Sequence, residues 1–174
     1  MKHDVFPLAI EEEAAVSSAL YRDGMARLGG GVTIVTTDGP AGRVGFTATA
    51  VCSVTDKSPT LIVCINQSSS AFRAVTTNGV LAVNVLTAEQ QPLADLFGGK
   101  TPMDQRFAAA AWTQGETAAP LLPDASASFE CRITGHAEQG SHHVLFCSVV
   151  AVHMAEQFSG LVYFARRYHA LAGT

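Results

Sequence analysis

The feature that most constrains this chain is a series of short β-branched or apolar runs set off by tight turns. Residues 32–37, Val-Thr-Ile-Val-Thr-Thr, are β-branched, and such side chains pack well on a pleated surface. Asp38-Gly39-Pro40 follows as turn chemistry. Further strands are expected over residues 44–54, 61–65, 80–86, 126–134, 143–154 and 161–165. Helices are few. One is expected over residues 11–28, where Val16, Leu20 and Leu28 share a face and Gly29-Gly30-Gly31 ends it. A short one is expected over residues 70–77, closed by Asn78-Gly79. A third starts at Thr87-Ala88-Glu89-Gln90, a capping-box pattern, and runs to Phe97. Residues 108–124 lack a period and read as irregular. Strands do not alternate with long helices and G-x-G-x-x-G is absent, which argues against a doubly wound nucleotide fold. Many short strands with tight turns argue for a mainly β barrel or sandwich.

Composition narrows the class. The 174 residues suit one domain. Only 15% are charged against 48% hydrophobic, where about a quarter charged is usual. So little charge covers a monomer's surface poorly, and an isologous homodimer with an apolar interface is expected. The net charge of −4 carries no basic stripe, so no nucleic-acid partner is expected. The apolar runs are strand-sized, so neither a membrane helix nor a membrane partner is expected. Residues 1–15 include Glu11, Glu12 and Glu13 and lack an apolar signal-peptide core. Cys52, Cys64, Cys131 and Cys147 form no C-x-x-C pair and no zinc-like spacing. Each lies in an apolar run. They are expected as buried, reduced thiols in the cytoplasm, with no metal.

Five segments could carry chemistry. Gly45 to Ser53, GFTATAVCS, offers small residues that let a flat ring approach backbone, with Thr and Ser hydroxyls at its edge; an ordinary Thr-rich edge strand is the plain alternative. Asn66-Gln67-Ser68-Ser69-Ser70 joins a strand to a helix start, where N–H groups and hydroxyls suit a phosphate or simply cap the helix. Gly98-Gly99-Lys100 is a flexible turn with a cation. Gly140-Ser141-His142-His143 places histidines at a strand entry. Adjacent residues on a strand point to opposite faces, so these two do not readily share a metal. Tyr163 to Tyr168, YFARRY, sets Arg166 and Arg167 beside aromatics, a grip for a dinucleotide or a solvated strand end. No G-x-S-x-G, H-E-x-x-H or Walker loop is present.

Taken in order, these segments resemble the flavin reductase-like family, whose members supply reduced flavin to two-component monooxygenases. The likeness runs from about Tyr21 to Tyr168. It is carried by YRDGMARLGGGVTIVTT, GFTATAVCSVTDKSPTLIVCINQSSS, GSHHVLF and YFARRY. The resemblance implies a split β-barrel of FMN-binding type, with Greek-key strands and flanking helices, working as a homodimer. It implies that Thr47, Ala48, Thr49, Ala50, Val51, Cys52 and Ser53 line the isoalloxazine of FMN or FAD. It implies that Asn66, Ser68, Ser69 and Ser70 receive the ribityl phosphate end. Lys100 and Phe107 would close over the flavin. His142 would stand near the nicotinamide of NADH or NADPH, with NADH the expected donor, and Arg166 and Tyr168 nearby. Two positions depart from the pattern: Gln67 stands where Arg is frequent, and Cys147 where Gly is frequent. The activity implied is reduction of free flavin by hydride transfer to N5, for use by a separate monooxygenase. A non-enzymatic flavin carrier is the alternative. A pyridoxine-type oxidase on the same barrel would want more basic residues.

Overall fold

The computed structural model describes residues 16–173. Ten strands fall into two antiparallel sheets. They are β1 (Gly30–Gly31), β2 (Thr33–Thr37), β3 (Val44–Ala48), β4 (Val51–Thr55), β5 (Thr60–Asn66), β6 (Val80–Val85), β7 (Ala127–Gln139), β8 (His142–Met154), β9 (Gly160–Phe164) and β10 (Arg167–Leu171). The larger sheet has seven strands in the order β3-β2-β6-β7-β8-β5-β4, and the smaller one is β1-β9-β10. The helices are α1 (Ser18–Met25), α2 (Phe72–Asn78), α3 (Gln91–Gly98) and α4 (Met103–Ala108).

The larger sheet curls for a reason readable in its topology. Its outer strands β3 and β4 are consecutive in the chain and joined only by Thr49-Ala50. So short a link reaches no more than about 11 Å, so both edges must come together without pairing. The result is a mainly β, unclosed, split barrel with its seam at residues 48–51. Inside it pack Val35, Leu61, Val63, Ile65, Leu81, Val83 and Leu145. A second core of Val32, Ile34, Leu86, Phe97 and Phe107 lies on the other face of β2, under α3 and α4. β2 is therefore buried at every position, while β5 alternates between buried and half-buried.

Several expectations need correcting. The expected helix 11–28 is shorter: its first residues lie outside the described ones, and α1 starts after Ser17, whose Oγ accepts the Leu20 N–H at 3.2 Å. Val16, Leu20 and Leu28 are exposed rather than packed in a core. The strand expected over residues 44–54 is two strands, broken where the chain crosses the seam. α4 and β10 were not expected. β9 and β10 form a hairpin through Ala165 and Arg166, both at positive φ, 49° and 60°. That is the signature of a type I′ turn, without the Asn-Gly that usually announces one. The turn is tied down by Ala165 N–H to Ala26 O at 2.6 Å and Arg166 Nη2 to Asp23 Oδ1 at 2.6 Å. Of the cysteines, Cys131 and Cys147 are buried, and burial pushes both thiols up to about 12. Cys64 is half-buried and Cys52 exposed, because β4 is an edge strand with little covering it.

Two buried polar centres hold the irregular segment 113–125 against the sheet. Asn84 of β6 donates to Ile34 O at 3.1 Å and accepts from Leu122 N at 2.9 Å and Ser128 Oγ at 2.8 Å. Glu130 of β7 is fully buried. It accepts from His153 Nε2 at 2.8 Å, Glu116 N at 3.1 Å, Thr117 N at 2.7 Å and Thr117 Oγ1 at 3.0 Å. Such donors are what a buried carboxylate requires. Gly115 makes this approach possible: a Cβ there would stand 2.1 Å from Glu130 Oε1.

Candidate functional site

At the seam lies an open cavity of about 460 Å³. One wall is the crossing strand: Gly45, Phe46, Thr47, Ala48, Thr49 and Ala50. Opposite stand Cys64, Ile65 and Asn66 of β5 with Ser69, Ser70 and Ala71 of the loop that follows. Phe97, Gly98, Gly99 and Arg106 form the third side. The wall is low because its residues are small. Gly45 is the tightest point: a Cβ there would meet Phe97 Cε1 at 2.8 Å and Val35 O at 3.2 Å. Bare backbone there lets the Phe97 ring lie directly against the strand.

The loop after β5 is locally determined. Asn66 Oδ1 accepts from both Ser68 N and Ser68 Oγ at 2.8 Å, an Asx turn that brings the following serines round to the cavity. Ser69 Oγ accepts the Ala71 N–H at 3.3 Å. α2 itself begins after Ala71, which makes no side-chain cap bond. Asn66, Ser69 and Ser70 line the cavity, whereas Ser68 stands outside it, exposed.

Arg106 was not singled out from the sequence. It is buried, at 8% exposure. Its guanidinium donates to Thr101 O at 2.7 Å, Phe97 O at 2.8 Å and Gly99 O at 2.7 Å. These bonds fix the turn 98–101 around one cation, and the acceptors that Arg106 meets there are neutral carbonyls. Its positive charge is thus left for the cavity to use. The signal was present in α4: Met103 and Phe107, four residues apart, pack inward and carry Arg106 with them.

Other expected residues are placed less directly. Thr47 donates its hydroxyl to Ala94 O at 2.6 Å, which commits that proton to the fold. Val51 and Cys52 turn from the first cavity to a neighbouring one of about 740 Å³, which also touches Thr49, Ala50, Cys64 and Arg166. Ser53 lies in a third, apolar groove of about 360 Å³ beside Val51, Leu61 and Phe129. Lys100 is exposed beyond the Gly98-Gly99 wall. Phe107 is turned into the second core, edge-on to Phe97 at 5.3 Å and Trp112 at 5.0 Å. It therefore supports Phe97 from behind instead of closing over the cavity. His142 opens β8 directly across from Asn66, exposed, with Nδ1 2.9 Å from Ser141 Oγ. Tyr168 packs on Tyr163, ring centroids 5.2 Å apart. Burial, with Asp95 beside it, raises its phenol. It packs against the second core.

The flavin reductase like domain profile matches residues 25–172. The chain is 58% identical over 160 residues to the FMN reductase (NADH) RutF of Ancylobacter novellus, covering 92% of this chain and 88% of that one. It is 53% identical over 156 residues to the protein of the same name from Escherichia coli, covering 90% and 95%. Among solved structures, a protein assigned as a flavin reductase from Haemophilus somnus superposes with a TM-score of 0.88 at 44% identity, covering 90% of this chain and all of that one. The NADH:FAD oxidoreductase SgcE6 of Streptomyces globisporus, solved with NAD and FAD fragments, superposes with a TM-score of 0.82 at 27% identity, covering 88% and 92%. The chain belongs to the flavin reductase like domain family.

Proposed function

We propose that this chain is an NADH-dependent flavin reductase that takes FMN in the seam cavity and releases it reduced. The observation that carries the reading is the 460 Å³ cavity, where backbone at Gly45 to Ala50 faces Asn66, Ser69 and Ser70, in a chain 53–58% identical to proteins named for that activity. The cavity fits a flavin by its chemistry: small residues suit a flat ring, and hydroxyls suit a phosphate. With both substrates bound, a hydride passes from the nicotinamide C4 to the flavin N5. The protein's part is to hold the two rings in contact. Arg106 and the backbone N–H groups of the wall favour negative charge on the ligand. Arg166, in the adjoining cavity, faces the nicotinamide nucleotide. His142 positions the nicotinamide and is no obligatory base. FAD shares the ring and first phosphate and is expected as a slower substrate.

The reading extends to assembly. Val150, Val152 and Met154 are exposed, and Val152 also lines the apolar groove. Together with the low charge, this supports a homodimer that covers that face. Reduced flavin then serves a separate flavin-dependent monooxygenase, and the cytoplasm supplies the NADH. Among the described residues no helix is long and apolar enough to cross a membrane.

The test is absorbance of NADH in air with FMN and purified protein. Fast NADH loss, well above the free-flavin background and slower with NADPH, is expected. Flavin binding with no nicotinamide consumption would instead make the protein a carrier. In His142→Ala, the KM for NADH is expected to rise about tenfold with FMN affinity unchanged. Equal nicotinamide kinetics in variant and parent would remove that role.

A further inference from the structure

On the outer part of the β7–β8 hairpin, three metal-ligating side chains converge. His136, Glu138 and His143 each bring one donor atom within 4.8 Å of the others. The strand geometry explains it. Glu138 and His143 are direct cross-strand partners, and His136 is two residues from Glu138, so all three project from one face. None of the three lines the seam cavity, so this cluster is separate from it.

His143 supplies an independent observation. It is a buried imidazole, at 7% exposure, wedged under Phe72 of α2 with ring centroids 4.6 Å apart. Its Nδ1 has no hydrogen-bond partner among the described residues. Its Nε2 meets Glu138 Oε1 only at 3.7 Å, beyond hydrogen-bond length. Nε2 is therefore the nitrogen turned toward the cluster, and no hydrogen bond to Glu138 holds it there. The His136 ring lies 5.1 Å away, tilted by 33°, with no proton-sharing contact that would explain the pair. Two imidazoles and a carboxylate within small side-chain rotations of one point are a divalent transition-metal donor set. Zn²⁺ accepts such N₂O sets with water completing a tetrahedron.

We infer that His136, Glu138 and His143 form a Zn²⁺-class metal site on the β7–β8 hairpin. Bound metal staples the two strands near their turn. That turn docks on the loop after β5, through Gln67 N–H to Ser141 O at 3.0 Å. The ion thus braces the support of that loop without touching the cavity.

The experiment is titration of tag-free, metal-stripped full-length protein with Zn²⁺ by calorimetry, repeated with Co²⁺ by visible absorption. One equivalent of Zn²⁺ per chain is expected, with a rise in Tm. The Co²⁺ spectrum should show tetrahedral d–d bands and no thiolate charge transfer. His136→Ala and Glu138→Gln alter exposed side chains and leave the core intact; each should weaken Zn²⁺ at least tenfold, while Cys52→Ser should not. Absence of binding would overturn the site. So would binding unchanged in both variants, or a thiolate signal lost with Cys52→Ser.

Discussion

Glu130→Ala is expected to lower stability by about 3–5 kcal/mol and Tm by roughly 6–20 °C, measured by thermal unfolding monitored by circular dichroism. The side chain is fully buried. Removing it strands the Glu116 and Thr117 amides, the Thr117 hydroxyl and one nitrogen of His153. Glu130→Gln keeps the shape and one good acceptor, so about 1–3 kcal/mol is expected. The two variants also separate charge from packing. Burial pushes the Glu130 carboxyl up, but the bonds from His153, from the Thr117 and Glu116 amides and from the Thr117 hydroxyl outweigh it, leaving its pKa below the ordinary carboxylate value. A carboxyl depressed in the fold adds stability above its unfolded pKa, and that stability is lost as pH falls through the folded one. The parent should therefore lose stability on the acid side more steeply than Glu130→Gln. Parallel acid profiles would mean that the carboxylate's charge contributes nothing.

Gly45→Val should have the largest effect on ligand binding. Its Cβ would stand 2.8 Å from Phe97, a ring held by Phe107 and Trp112, and 3.2 Å from a backbone oxygen. Neither neighbour yields cheaply, so overpacking should cost about 1–3 kcal/mol. Whatever yields, the cavity wall moves into the space proposed for the flavin ring. FMN affinity, followed by quenching of flavin fluorescence, should fall at least tenfold, with Tm lower by roughly 3–10 °C. Unaltered FMN affinity in a folded variant would place the ring elsewhere.

The legible parts of this chain were those where local chemistry and tertiary role agree. β2 and β5 are apolar and largely β-branched because their side chains are buried in a barrel wall, and the capping box at Thr87 and Gln90 formed as read. The seam was illegible because Thr-Ala-Thr-Ala carries no turn signal, so residues 44–54 read as one strand. β10 was missed because Ala165 and Arg166 take up positive φ without glycine or asparagine, held there by contacts to α1 that lie far away in sequence. In the candidate site, the sequence named the small-residue wall and the serine loop, and the fold brings Thr47 to Ala50 together with Asn66, Ser69 and Ser70. It could not show that Phe107 turns inward or that Tyr168 packs on the second core, because both depend on which face of an element meets which core. Arg106 escaped notice because an arginine on a short helix usually reads as solvated; only the fold brings four carbonyls around it.

The Thr49-Ala50 link has a further consequence for how the chain finds its structure. Consecutive strands usually zip together, and a two-residue connection between strands is the length of a tight hairpin. An Asn-Gly pair at this spot would invite β3 and β4 to fold onto one another, and the seam would close before any distant partner arrived. Thr-Ala withholds that invitation. β3 pairs with β2 and β4 with β5 instead, and the seam stays open because the sequence declines to offer that shortcut.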